Sequence, residues 1–376
     1  MAIEVVLVRT SSLGDVVHTL PVAETLKRAF PSVRLAWVVE RSFREILEGN
    51  PYIDELIEVD FRSWKRRPVR REAIGGLLRS LRRLRRRRRH IAVDLQGLVR
   101  SGLIAYASGA PVRVGIEEGA VREKLNCIFT NVKGPCADKG AHIVDQNLSL
   151  LSVFGVERFH RSFHISIPER VAAGVESFLS APEGACRPLR IALNPAAGWQ
   201  TKTWAPERYA ALADRIAGQL RARVYLLWGP GERGLAERVR SLMREDAAIL
   251  PPMGLKSLAA LIARSDAFIG GDSGPLHLAS ALGVPVVGIY GPSDPSRNGP
   301  FAGRSRVVRY TGECAGCYKR RCASRECMDR VSVEEVWCAL VALLEEAYLD
   351  GSRTVVPPQQ RGEGRAVLPV HGPYAS

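Results

Sequence analysis

The sequence predicts an α/β protein of two doubly wound domains that face each other across a cleft, and three observations carry that expectation. At 376 residues the chain is too long for one ordinary α/β domain and sufficient for two, each with its own core. Apolar, β-rich runs alternate with segments of helical periodicity, the pattern of a parallel sheet covered by helices. A Pro/Gly-bearing stretch, LSAPEGACRPLR (179–190), interrupts the alternation before it restarts. The domains are accordingly drawn over 1–182 and 183–350, with 351–376 as a tail.

In the first half the strand runs are IEVVLV (3–8), RLAWVV (34–39), ELIEVD (55–60), IAVDLQ (91–96) and VRVGI (112–116). Each is short and apolar, and helical periodicity fills the gaps between them. After the boundary come RIALNP (190–195), RVYLLWGP (223–230), DAFIGG (266–271) and VPVVGIYGP (284–292). From Ser352 onward the chain is rich in Pro, Gly and Arg and has no period, so a disordered tail is expected. Open α/β sheets hold ligands at the carboxyl ends of their strands, which makes the cleft between the two sheets the expected site.

Composition narrows the function. Hydrophobic residues make up 46% and charged residues 25% of the chain, and no apolar run approaches the ~20 residues that span a bilayer. The N-terminus enters a strand at Ile3 with no basic leader, which points to a cytoplasmic protein. A net charge of +15 predicts an anionic partner: nucleic acid, a phosphorylated ligand or an acidic membrane surface. RSLRRLRRRRRH (79–90) holds Arg79, Arg82, Arg83, Arg85, Arg86, Arg87, Arg88 and Arg89, spread too far around a helix to share a buried face. The run is expected to be exposed and to meet anionic lipid or acceptor phosphates, at ~1 kcal/mol per residue near an acidic surface. Aromatics that could stack on bases are not interleaved with it, so nucleic acid is not the expected partner.

The turns decide the chemistry. RTSSLGD has one glycine where a dinucleotide fingerprint needs three, and it lacks the P-loop pattern, so neither a Rossmann dehydrogenase nor a P-loop NTPase is predicted. Asp15 stands where this turn becomes a helix, as a helix cap or as a group facing a ligand. In NPAAGWQTKTWAPERY (194–209), Lys202 lies between Thr201 and Thr203 ahead of a helix opened by Pro206. Hydroxyls, a cation and a helix N-terminus form a candidate diphosphate cradle, against the alternative of a solvated loop lysine. In GGDSGPLHLASALGVPVVGIYGPSDP (270–295), the Asp272-Ser273-Gly274 turn leads into a helix with His277 on its first turn, and a second turn follows at Gly291. Of eight cysteines, Cys314, Cys317, Cys322 and Cys327 cluster with the spacing C-x2-C-x4-C-x4-C. Four thiolates could close a structural zinc site or hold an iron–sulfur cluster; reduced thiols or local disulfides are the alternative.

Together, TSSLGDVVHTLP, VDLQGLVRSG, NPAAGWQTKTWAPERY, WGPGER and GGDSGPLHLASALGVPVVGIYGPSDP resemble, in order, the motifs of the lipopolysaccharide heptosyltransferases. The resemblance covers nearly the whole chain except the arginine run and the tail. It implies a GT-B fold and inverting transfer of L-glycero-D-manno-heptose from ADP-heptose to Kdo-lipid A, with no metal or other cofactor in catalysis. The first domain would bind the acceptor and the second the nucleotide sugar. By position, the resemblance implies Asp15 as catalytic base and Lys202 as the group holding the departing diphosphate. Thr201, Thr203, Glu232, Met253, Asp272, Ser273, Gly274 and His277 would surround the donor. Ser12, Gly14, His18, Arg62, Asp94, Gln96, Arg100 and Arg122 would surround the acceptor. HTLP after Asp15 resembles the enzyme that adds the first heptose to Kdo rather than the second. The implied setting is a monomer, peripheral on the cytoplasmic face of the inner membrane.

Overall fold

A computed structural model describes residues 2–61, 71–135, 140–180 and 189–349. The first sheet has the order β3-β2-β1-β4-β5-β6, with β1 at Glu4–Val8, β2 at Arg34–Glu40, β3 at Glu55–Val59, β4 at Ile91–Asp94, β5 at Val112–Ile116 and β6 at Val132–Gly134. The second has the order β12-β11-β10-β7-β8-β9, with β7 at Arg190–Asn194, β8 at Arg223–Leu226, β9 at Ala248–Ile249, β10 at Ala267–Gly271, β11 at Val286–Tyr290 and β12 at Ser305–Arg309. Every pairing is parallel.

Strand order reverses between β1 and β4 in one sheet and between β7 and β10 in the other. Such reversals open a crevice at the strand ends, because the helices that follow the two central strands lie on opposite faces. The turns carrying Asp15, Lys202 and Asp272 leave three of these four central strands, β1, β7 and β10, and the turn at Gly291 leaves β11 beside β10. The runs also read as continuous apolar stretches for a physical reason: both faces of each sheet are covered. Val5 and Leu7 pack in one cluster with Leu20, Val22 and Leu26 of the helix Leu20–Ala29, whereas Val6 and Val8 pack in another with Leu84 and Ala105.

All nine expected runs are strands. Three were missed, β6, β9 and β12, and each lies at or beside a sheet edge, where little apolar sequence is needed. The boundary at 182/183 and the tail 351–376 fall outside the described residues. Ahead of that boundary, the helix Glu169–Leu179 packs on Leu255–Ala263 of the second half, and Glu176 accepts from Arg190 at 3.1 Å and from Arg264 at 2.7 Å.

The arginine run divides in a way its sequence did not indicate. The helix Arg71–Arg85 carries its first members and ends before Arg86. Arg89, expected to be exposed, is buried beside the start of β4: Nη1 donates to Glu4 of β1 at 2.9 Å and Nη2 to Glu55 of β3 at 2.9 Å. It ties together strand starts at the end of the sheet opposite the cleft. Arg89→Ala leaves Glu4 and Glu55 only their longer, more exposed pairs with Arg34, Arg87 and Arg83 and is expected to cost about 2–3 kcal/mol. Arg82→Ala, on an exposed side chain, should stay within about 0.5 kcal/mol. Urea unfolding of the two variants measures the contrast.

Candidate active site

Asp15 is not the N-cap of its helix but the third residue of Leu13–Val17, and Ser12 takes the cap position. Its carboxylate reaches back: Oδ2 accepts from the Ser12 amide and hydroxyl, both at 2.9 Å, in a capping-box arrangement. Oδ1 accepts from Arg9 Nη2 at 2.7 Å. Burial alone would raise the pKa, but the Arg9 charge, the two Ser12 bonds and Arg122 outweigh it and hold the group below the ordinary carboxylate value. Asp15 is therefore ionised, and a quarter of its side chain (24%) is open to the cleft.

Around it, Ser12, Gly14, His18, Gln96, Arg100 and Arg122 line the cleft wall of the first half. Arg100 donates to Ser11 Oγ at 2.8 Å. The Gln96 carbonyl is already committed to the Thr10 amide and hydroxyl, at 2.9 and 2.8 Å, so this side chain fixes the β1 turn as well as facing the cleft. Asp94 is a correction: fully buried, it takes the amides of Gln96 and Gly97 on Oδ1 and Ser101 Oγ and Asn126 Nδ2 on Oδ2. It shapes the turn after β4 and offers nothing to a ligand. Arg62 lies outside the described residues.

On the facing wall, Asp272 follows β10 and receives two donors. Lys202 Nζ meets Oδ2 and His277 Nε2 meets Oδ1 at 3.0 Å. Burial works against the charged carboxylate, yet His277 and Lys202 prevail and hold its pKa far below the ordinary value. Lys202 Nζ also lies 3.7 Å above the Trp199 ring, with Arg320 over the same ring at 5.2 Å. Ser273 accepts from Asn194 Nδ2 at 3.1 Å, and Gly274 opens the helix Gly274–Ala281 at the cleft wall. Glu232 is the N-cap of Arg233–Leu242, its carboxylate accepting from the Gly229 amide at 2.8 Å. The two walls enclose about 1280 Å³, room for a nucleotide sugar and part of an acceptor.

Residues 77–328 match glycosyltransferase family 9 (heptosyltransferase). The lipopolysaccharide heptosyltransferase 1 of Pseudomonas aeruginosa is 34% identical over 324 residues, covering 85% of this chain and 87% of that protein. The chain belongs to glycosyltransferase family 9. Among solved structures, the family 9 glycosyl transferase of Veillonella parvula superposes with a TM-score of 0.76 at 27% identity, over 91% of this chain and 97% of that one. Heptosyltransferase WaaC of Escherichia coli, solved with ADP, gives 0.71 at 24% identity over 91% of this chain and all of its own, a likeness of fold. The transferase thus has the two-sheet GT-B architecture.

Three expected donor residues of the transferase stand elsewhere than on the cleft lining. Thr201 Oγ1 donates to the Lys319 carbonyl at 2.8 Å, and the Thr203 carbonyl accepts from Arg325, so the threonines anchor the Lys202 loop. Met253 is half-buried against the core. Both anchors belong to the cysteine-bearing segment, which also donates Gly316 N to Gly291 O at 3.0 Å and Tyr318 N to Pro292 O at 2.6 Å. That segment delivers Tyr318 and Arg320 to the cleft, where Arg297 also lies; these three stand outside the quoted motifs, whereas Trp199 stands inside one without a role assigned to it. The signal for Tyr318 and Arg320 is the basic character of the cysteine cluster, which holds Lys319, Arg320, Arg321 and Arg325.

The four cysteines do not assemble as a metal-holding group: among the described residues no set of three or more His, Cys, Asp or Glu has that arrangement. Cys327 is buried under Gly291, while Cys322 is exposed with its sulfur 3.7 Å from Ser324 Oγ. Burial and the neighbouring thiols, Cys314 first, push the Cys327 thiol up to about 11, so it is protonated at neutral pH.

The two halves meet at a seam that only glycine permits. A Cβ on Gly14 would come within 2.6 Å of His277 Cδ2, and one on Gly274 within 2.7 Å of Leu13 Cβ. The His277 ring lies 4.3 Å from that of His18, tilted by 59°; burial keeps His18 neutral, and His18 meets His142 edge-on at 5.3 Å. Gly274→Ala is expected to lower unfolding free energy by about 1–3 kcal/mol through overpacking. Gly174→Ala, inside the helix Glu169–Leu179 with open space at its Cβ, should instead stabilise by about 0.5–1 kcal/mol. Guanidinium denaturation reads both.

Proposed function

We propose that the protein transfers L-glycero-D-manno-heptose from ADP-heptose to the Kdo region of lipid A, with inversion and without a metal, as a monomer at the cytoplasmic face of the inner membrane. The observation that carries the reading is the opposition of an ionised carboxylate, Asp15, on one cleft wall and the cations Lys202, Arg297 and Arg320 on the other. An acceptor hydroxyl beside Asp15 attacks the anomeric carbon, its proton passes to the carboxylate, and the bond to the diphosphate breaks on the far side. A base and a leaving-group site on opposite walls favour a single in-line displacement, which inverts configuration.

The departing ADP gains negative charge as this bond breaks. Lys202 is already matched by Asp272, so Arg297 and Arg320 bring the surplus positive charge, and the amides opening Gly274–Ala281 add donors. These groups can supply what a divalent cation supplies elsewhere. Transfer to Kdo as first heptose follows the HTLP sequence after Asp15 and the 34% identity to a type 1 enzyme. Among the described residues no helix is long and apolar enough to cross a membrane, which fits attachment at its surface.

A donor panel of ADP-heptose, ADP-glucose, UDP-sugars and GDP-mannose, scored by nucleoside diphosphate release with Kdo-lipid A, tests the assignment. Release with ADP-heptose alone is expected. Faster release with another sugar nucleotide transfers the protein to a different donor, and activity only on an acceptor already bearing heptose makes it the second enzyme.

Asp15→Asn keeps an oxygen that can accept from Ser12 but removes the basic carboxylate. The variant also takes the negative charge from buried Arg9, so it should melt below wild type, and kcat compared at a temperature where both are folded should fall by about 10²–10⁴. A near-normal kcat would return Asp15 to a purely structural role. Because the folded pKa is depressed, the carboxylate stays charged well into acid, so the base limb of the kcat/KM profile should break below the ordinary value of 3.8, not above it. Lys202→Ala should lower kcat by about 10- to 1000-fold with the acceptor KM unmoved. Single-turnover kinetics separate these effects.

A further inference from the structure

Beginning at the cleft mouth and leading away from it, one flank of the first sheet carries exposed apolar side chains. Four large apolar side chains stand in water there: Leu103 (47% exposed), Tyr106 (59%), Leu125 (66%) and Ile128 (72%). Single exposed apolar residues are ordinary; a contiguous group marks a contact surface. Local geometry makes these four contiguous. Leu103 and Tyr106 lie three apart on the helix Val99–Ala107. Leu125 and Ile128 lie three apart on the 3₁₀ helix Lys124–Ile128, where residues at that spacing eclipse and form one ridge. Asn126 on the inner side is buried, its Nδ2 held by Asp94 at 2.6 Å and by the Leu98 carbonyl at 2.7 Å, so the ridge is fixed facing outward. The two elements are locked at Gly102, where a Cβ would come within 2.7 Å of Asn126 Nδ2 and 2.9 Å of Phe129 Cδ2.

Cations border this ridge. Arg113 lies 5.5 Å over the Tyr106 ring, and Arg85 Nε donates to the Ala107 carbonyl at 2.9 Å, which joins the helix to the arginine run. Arg79, Arg82 and Arg86 are exposed beyond it. Glu123 accepts from the Val99 amide at 2.7 Å, and the exposed Glu117 and Glu118 stand on the segment between β5 and the 3₁₀ helix. At the other end, Leu103 and Arg100 also line the cleft, so the ridge has the arginine run at one end and the wall that holds Asp15 at the other.

We infer that this flank seats the protein on an anionic lipid bilayer, with Tyr106, Leu125 and Ile128 entering the acyl boundary and the arginines meeting head-group phosphates. An apolar ridge bordered by cations matches an acidic interface in both polarity and charge. A second copy of the chain fits worse, since a two-fold contact would set arginines against arginines. The inference deepens the reading of a lipid-linked acceptor: an acceptor still anchored in the bilayer reaches the first-half wall along this ridge.

The test is co-sedimentation of the full chain with vesicles of phosphatidylcholine, with and without phosphatidylglycerol, in the absence of donor and acceptor. The wild type should bind the anionic vesicles alone, and the double variant Leu125→Asp/Ile128→Asp should lose about tenfold or more of that partition while melting as wild type. Arg82→Glu/Arg86→Glu, which leaves the ridge intact, should lose a comparable share and most of its salt dependence. Equal partition of the wild type and the ridge variant overturns the inference. So does failure of the wild type to bind anionic vesicles, or a dimer in sedimentation velocity that the ridge variant dissociates without any vesicle binding. Heptosyl transfer is assayed separately and vesicle-free, so its failure leaves this result standing, and the reverse also holds.

Discussion

The buried carboxylate of Asp272 is the point on which the site depends. It sits at the end of a central strand of the second sheet and binds Lys202 from one turn and His277 from the helix that follows. An unpaired charge there would be costly, and each partner is held in place by the need to satisfy it. Lys202 is thereby fixed over Trp199. His277 is fixed against Gly14 and His18 of the other half. One ion-paired triad therefore sets the position of the candidate diphosphate loop, the direction of a helix N-terminus and the approach of the two walls.

What the sequence could reveal followed from how much local pattern each feature needs. The inner strands are covered on both faces, so their apolar runs are unbroken and legible, as is the edge strand β3 with its ELIEV run; the other three edge strands, β6, β9 and β12, carry only VKG, AI and SRVVR, which no apolar run marks. The turns carrying Asp15, Lys202 and Asp272 leave the central strands of their sheets and announce themselves by small residues beside a charged one. Their partners were not legible. Arg9 lies within an apolar strand ending, and nothing local indicates that it will meet Asp15; Trp199 and Arg320 come together from positions more than a hundred residues apart. Thr201 and Asp94 show the reverse error, since polar residues inside a motif were read as ligand contacts while the fold uses them to anchor a loop and shape a turn.

The arginine run is a lesson in reading charge. Its helical part is exposed, as density of charge demands, but Arg89 has left the helix and is consumed by two carboxylates of neighbouring strands. Formal net charge thus overstates what a surface can offer a partner. Where the remaining arginines act depends on the apolar ridge beside them, which no count of charges discloses.

A consequence follows from how the Asp15 carboxylate is held. It has about four lone-pair directions, and Arg9, the Ser12 amide and the Ser12 hydroxyl occupy three of them. A sugar acceptor presents several hydroxyls of nearly equal acidity, which an unconstrained carboxylate could not tell apart. In the transfer we propose, with a single direction left, regiochemistry becomes a matter of bearing: the hydroxyl that can aim its proton along the vacant lone pair is the one deprotonated, and its neighbours on the same ring remain unreacted however close they lie.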